Sequence, residues 1–100
     1  MSDYNAPVQD MQFVLEHLCD MAGLRELPAF GETTSDLVEQ ILNESARFTG
    51  EVIAPLNQPG DQQTSTLADN AVTTPDGFKE AYQAFVEGGW NGTPFEPEHG

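Results

Sequence analysis

Between Ser35 and Ala54, the apolar residues Val38, Ile41, Leu42, Phe48, Val52 and Ile53 recur at three- and four-residue steps, with only the small Ser45 among them. On a helix these positions form one continuous face, which must be buried against other elements. The spacing predicts a helix over 36–54, capped by Ser35 or Asp36, with Asp36 and Glu39 at capping-box separation. Arg47 and Glu51 stand one turn apart and are expected to pair. Pro55 halts regular helix near its position, with room for one further turn.

Two shorter patterns of the same period flank this one. Val8, Met11, Leu15, Leu18 and Ala22, widened by Val14 and Met21, predict a first helix over 10–22, with Asp10 as cap and Gly23 as stop. Pro7 keeps the lead-in 1–9 extended. Leu24, Leu27 and Phe30 lie in a connector marked by Pro28 and Gly31 and are expected to plug the core. Residues 58–74 are polar and predict a solvated loop. Thr74 and Pro75 have the form of a cap and a first helical position, opening a third helix over 75–87. Its face of Phe78, Ala81, Tyr82 and Phe85 is expected to meet Phe48. Gly88 would supply the left-handed residue at its end.

No segment shows the period-two alternation of a half-buried strand. The expected fold is therefore all-α, a small antiparallel bundle of three main helices joined by loops marked with proline and glycine. The expected organisation is 1–34 as an N-terminal extension with the first helix and connector, 35–90 as the helical core, and 91–100 as the start of a connector. In the stretch from Gly88 to Gly100, Asn91-Gly92 suits a turn with positive φ, and Pro94 and Pro97 favour extended chain. It reads as an interior connector leading on to a further domain.

Charge narrows the partners. Seventeen Asp and Glu face only three Lys and Arg, for a net charge of −14. Arg25, Arg47 and Lys79 lie in separate segments, so there is no basic stripe, and the field disfavours nucleic acid and anionic membrane surfaces. The acids are spread along the chain as a solvated surface would have them. A mimic of nucleic acid that binds a basic partner is the alternative. Cys19 is alone, which excludes an internal disulfide. No leader pattern or membrane-length apolar run is present, and the expected location is cytoplasmic.

Candidate chemistry is sparse. His17, beside the apolar stripe, lacks a second ligand at helical spacing and reads as a surface or boundary residue. Glu96, Glu98 and His99 place three potential metal ligands within a short span, but on a connector ill suited to hold them rigidly. Cys19 has no neighbouring cation in sequence to lower its pKa and reads as a small buried hydrophobe. Gly88, Gly89 and Gly92 follow a helix, whereas a dinucleotide-binding loop follows a strand. Trp90, in a Gly-rich turn, either caps the bundle or inserts into a neighbouring domain. No catalytic, cofactor-binding or metal residue is assigned.

Four stretches carry a family resemblance: Tyr4 to Leu15, Val38 to Asn57 with the Gly60-Asp61 pair, Pro75 to Tyr82, and Gly88-Gly89-Trp90. Together they resemble the N-terminal helical domain of FAD-dependent acyl-CoA dehydrogenases, in order along nearly the whole chain, with the lead-in of a long bacterial subgroup. The resemblance implies a parent oxidoreductase that takes a proton and a hydride from an acyl-CoA thioester, uses FAD, and passes electrons to an electron-transfer flavoprotein. It implies a homo-oligomeric parent whose remaining domains pack on this one. The family's catalytic carboxylate and flavin contacts belong to later domains, so none transfers to a position here. A free-standing acidic carrier or protein-interaction module is the alternative. Thr34-Ser35-Asp36-Leu37 stands where a carrier's prosthetic serine would, but with Asp and Ser in the reverse order.

Overall fold

The computed structural model describes residues 4–99. It divides into two compact units, Met1–Glu51 and Val52–Gly100. Helix dominates both, as expected of an all-α chain, and among the described residues the sheet is two three-residue strands.

In the first unit, helix α1 (Val8–Phe13) starts earlier than Asp10 would place it. Pro7 occupies its cap position, where a missing N–H costs nothing, and accepts from the Met11 N–H at 3.0 Å. Asp10 instead lies in the first turn, where a carboxylate favours the helix dipole. The helix widens into a π turn over Val14–Leu18, closed by the Cys19 N–H on the Val14 carbonyl at 3.0 Å, and there it ends. Asp20 turns left-handed (φ 53°) and its carboxylate accepts from the Gly23 N–H at 3.2 Å, opening α2 (Met21–Arg25). The single helix expected to reach Gly23 is thus broken at Asp20, and Gly23 lies inside α2. An Asp side chain that bonds the backbone ahead of it competes with helix continuation and tolerates this conformation.

Helix α3 (Ser35–Phe48) is capped by Thr34, whose Oγ1 accepts from the Leu37 N–H at 3.2 Å. The cap therefore lies one residue before Ser35 and two before Asp36, the two expected positions. Val38 on α3 and Met21 on α2 are the buried apolar residues of this unit, each 8% exposed. Leu15, Leu42, Ser45 and Phe48 are half-buried around them. Leu24, Leu27 and Phe30 do not plug this core: with the chain redirected at Asp20, they lie 36%, 51% and 43% exposed. After Phe48 the helix loosens into a second π turn, Thr49–Ile53.

The second unit corrects the expected loop at 58–74. Pro55 falls in the first turn of a 3-10 segment, Ala54–Leu56, where it needs no hydrogen-bonded N–H, and winding continues into α4 (Asn57–Gln63). Strands β1 (Thr66–Ala68) and β2 (Ala71–Thr73) then pair antiparallel, with Leu67 opposite Val72. Asp69 (φ 53°) and Asn70 (φ 62°) form the two-residue turn, both left-handed, whose twist matches that of the strands.

Helix α5 (Phe78–Glu87) begins at Phe78, not Pro75, because Gly77 (φ 87°) reverses the chain, with the Phe78 N–H on the Pro75 carbonyl at 3.3 Å. Gln63 Oε1 accepts from the Asp76 N–H at 3.0 Å and so ties α4 to that turn. Among the described residues of this unit Pro75 and Ala81 are buried, Ala81 at 7% exposed, and Tyr82 stacks on half-buried Phe85 at 6.4 Å. The left-handed residue at the end of α5 is Gly89 (φ 77°), not Gly88 (φ −76°). Gly88 is needed for another reason: a Cβ there would stand 2.9 Å from the Trp90 indole, which folds back over it. The chain then turns through 3-10 segments Trp90–Gly92 and Pro97–His99 instead of running extended. Positive φ is absent at Asn91 and Gly92, since the turn is made at Gly89.

Candidate functional site

A part-buried polar cluster in the first unit is built on Arg25. Breaking the first helix at Asp20 folds α2 back, so that Arg25 Nη2 donates to Glu16 Oε1 at 2.5 Å and its Nε donates to the Thr33 carbonyl at 2.5 Å. The one-residue shift of the α3 cap leaves Ser35 free to donate from Oγ to the same Glu16 oxygen at 3.0 Å. Both charged side chains are about one-fifth exposed (20% and 21%). The Arg25 hydrogen bond holds Glu16 below its ordinary 4.5 against the opposing effect of desolvation, with Ser35 reinforcing it. A carboxylate so committed is a clasp between helical segments, not a proton carrier. The sequence reading missed it, although Arg25 is one of only three cations among seventeen acids.

A groove of about 720 Å³ runs between the lead-in and α3, lined among others by Tyr4, Asn5, Val8, Asn43 and Arg47. The lead-in comes close enough that a Cβ on Gly50 would meet the Tyr4 carbonyl at 3.4 Å. Arg47 is held by Glu44 at 2.7 Å and, more loosely, by the expected Glu51 at 3.9 Å. Asp10 and Glu51 line it as well, so the groove offers amides and a paired cation outnumbered by carboxylates, a surface suited to hydrogen-bond donors and not to anions.

The residues singled out for chemistry are placed as follows. His17 is exposed, with its ring centroid 4.7 Å from that of Phe13. Cys19 is exposed, not buried as expected, because it is the residue at which the π turn ends and so leaves the helix's packed face. Glu96, Glu98 and His99 do converge, one ligand atom from each lying within 4.8 Å of the others, and His99 Nε2 is 3.3 Å from Glu98 Oε1. All three are exposed, Glu98 and His99 on the 3-10 turn Pro97–His99 and Glu96 just before it, an arrangement without the buried supporting partners a metal site needs. Ser35, the position of the carrier alternative, is engaged with Glu16. Among the described residues no helix is long and apolar enough to cross a membrane.

No protein-family model matches the chain. Among curated proteins it is 39% identical over 97 residues to 3-methylmercaptopropionyl-CoA dehydrogenase of Ruegeria pomeroyi. That match takes in 97% of this chain but only 16% of the relative. The chain is thus similar, over nearly its whole length, to a small part of an acyl-CoA dehydrogenase, in agreement with the resemblance carried by its own motifs.

Proposed function

We propose that the chain is the N-terminal helical part of an FAD-dependent acyl-CoA dehydrogenase, and that it supplies packing surface to that enzyme instead of reacting groups. The observation that carries this reading is the collinear 39% identity to one-sixth or so (16%) of a dehydrogenase's length. The relative's name points to a sulfur-containing acyl thioester as the substrate class. The parent would remove a proton and a hydride from adjacent carbons of the acyl chain, the flavin accepting the hydride when bound.

The residues of this chain do not fit a flavin site of their own. A flavin's pyrophosphate calls for donors or cations, whereas Arg25 is engaged by Glu16, Arg47 by Glu44 and Glu51, and Lys79 shares its surface groove with Asp76 and Glu80. Gly88 and Gly89 follow α5 and lead into a 3-10 turn, so they cannot open a helix over phosphate as a dinucleotide loop does. The part this chain plays is mechanical. Its helices bury few apolar residues by themselves, Met21, Val38 and Ala81, and so present apolar surface to whatever they join. Cytoplasmic location and homo-oligomeric assembly of the parent belong to the same reading.

The test is substrate-dependent reduction. The purified product of the gene in its source cells, mixed anaerobically with 3-methylmercaptopropionyl-CoA, is expected to lose its flavin absorbance. Failure to do so with this and with straight-chain acyl-CoA thioesters would overturn the reading.

A further inference from the structure

The break in the first helix is not forced by the backbone chemistry of its residues. Between Val8 and Ala22 there is neither glycine nor proline, and Val8, Met11, Leu15, Leu18 and Ala22 keep the helical period straight through it. The winding nevertheless loosens into the π turn Val14–Leu18, and Asp20 turns left-handed at φ 53°, a conformation unfavourable to L-residues. The break also strands Leu18, which is 73% exposed although the period sets it on the face of half-buried Leu15. The apolar pattern therefore favours one straight helix, and side-chain hydrogen bonds hold the chain out of it.

Two sets of bonds do so. The Asp20 carboxylate accepts from the Gly23 N–H at 3.2 Å and opens α2. Glu16 Oε1 accepts from both Arg25 Nη2 and Ser35 Oγ, while Arg25 Nε donates to the Thr33 carbonyl. Glu16 and Arg25 are nine residues apart, which on a straight helix is a rise of about 13.5 Å and a rotation of about 180°. They would then lie on opposite faces, so the clasp exists in the folded-back arrangement alone.

We propose that residues 8–25 form a two-state element, a hinge at Asp20 latched by the Glu16–Arg25–Ser35 clasp, whose other state is a single straight helix. Release of the latch draws Arg25 away from Glu16 and Thr33, returns Leu18 to the Leu15 face and tightens the π turn to ordinary helical bonding. The connector 26–34, which leaves α2 and is tied to Arg25 at Thr33, is redirected with it. The two arrangements differ in discrete hydrogen bonds, as the two states of a switching element do.

The test is amide exchange, read residue by residue, on the protein at the length its source cells make it. The N–H groups of Met21 and Ala22 lead α2, ahead of its first internal bond. In a straight helix they would donate to the carbonyls of His17 and Leu18 and be protected. Asp20→Ala removes the cap and favours helix, and exchange at 21 and 22 is expected to slow at least tenfold while that of α3 is unchanged. Glu16→Gln is expected to lower the denaturation midpoint alone but not in the Asp20→Ala background, where no clasp is left to lose. Asp20→Gly, which accepts positive φ, is expected to keep 21 and 22 exchanging as in the unsubstituted protein. Unchanged exchange at 21 and 22 in Asp20→Ala, with the Gly23 amide accelerated, would show a break fixed by packing and overturn the two-state element. Failure of Asp20→Ala to fold would overturn it as well, because a chain with a straight state within reach would move into it.

Discussion

The Phe78 ring lies directly over Gly60: a Cβ on Gly60 would stand 2.6 Å from Phe78 Cζ and 2.9 Å from Cε1. Helix α4 can therefore approach the start of α5 only because residue 60 has no side chain. Gly60→Ala gains about 1 kcal/mol of helix propensity but forces the ring aside, at about 1–3 kcal/mol. Net destabilisation is expected, read as a lower denaturation midpoint. Gly60→Ala combined with Phe78→Leu, which makes room for the methyl, should recover part of the loss.

The β1–β2 turn depends on residues that accept positive φ. Asn70→Val places a β-branched side chain at φ 62° and is expected to cost about 1–2 kcal/mol. Amide exchange over 66–73 should accelerate accordingly, while the amides of α5 change little. Asn70→Gly, which suits this turn, should leave the hairpin's exchange unchanged or slower.

The Glu16–Arg25 clasp carries a pH dependence of fixed sign. Because Glu16 is held below 4.5 in the folded chain, its contribution to stability is fully present above that value. It is lost as pH falls through the lower folded value. The denaturation midpoints of the protein and of Glu16→Gln should differ at neutral pH and converge in acid. A difference that persists unchanged in acid would show that Glu16 acts through packing and not through its charge.

Self-repulsion of a −14 chain falls with screening. Raising ionic strength from about 10 to about 150 mM shortens the Debye length from roughly 30 to 8 Å and is expected to raise the thermal midpoint. The Arg47 pairs with Glu44 and Glu51, which are exposed, would weaken over the same range without reversing that direction.

The all-helical class was legible because the Val38-to-Ile53 periodicity is long, interrupted only by the small Ser45; of that face Val38 is buried, whereas Ile41 and Ile53 are 43% and 40% exposed. The break at Asp20 was less so. The apolar stripe passes through it unaltered, and only the capping carboxylate, a competitor that periodicity does not register, ends the helix there. The hairpin had a local signal in Asp69-Asn70 flanked by Leu67 and Val72. It was obscured because its strands are three residues long and neither face is buried, so the alternation that marks a half-buried strand is missing. At the chemical end, His17, Cys19 and the Glu96–Glu98–His99 trio are placed by local turns. The Glu16–Arg25–Ser35 clasp joins residues distant in sequence and depends on that same unforeseen break at Asp20.

The most direct test of the central claim is the intact mass and visible spectrum of the native gene product purified from its source cells. Membership in a longer flavin dehydrogenase predicts a yellow protein several times heavier than 10.9 kDa, in which peptides of this sequence are found. A colourless species of 10.9 kDa would contradict it.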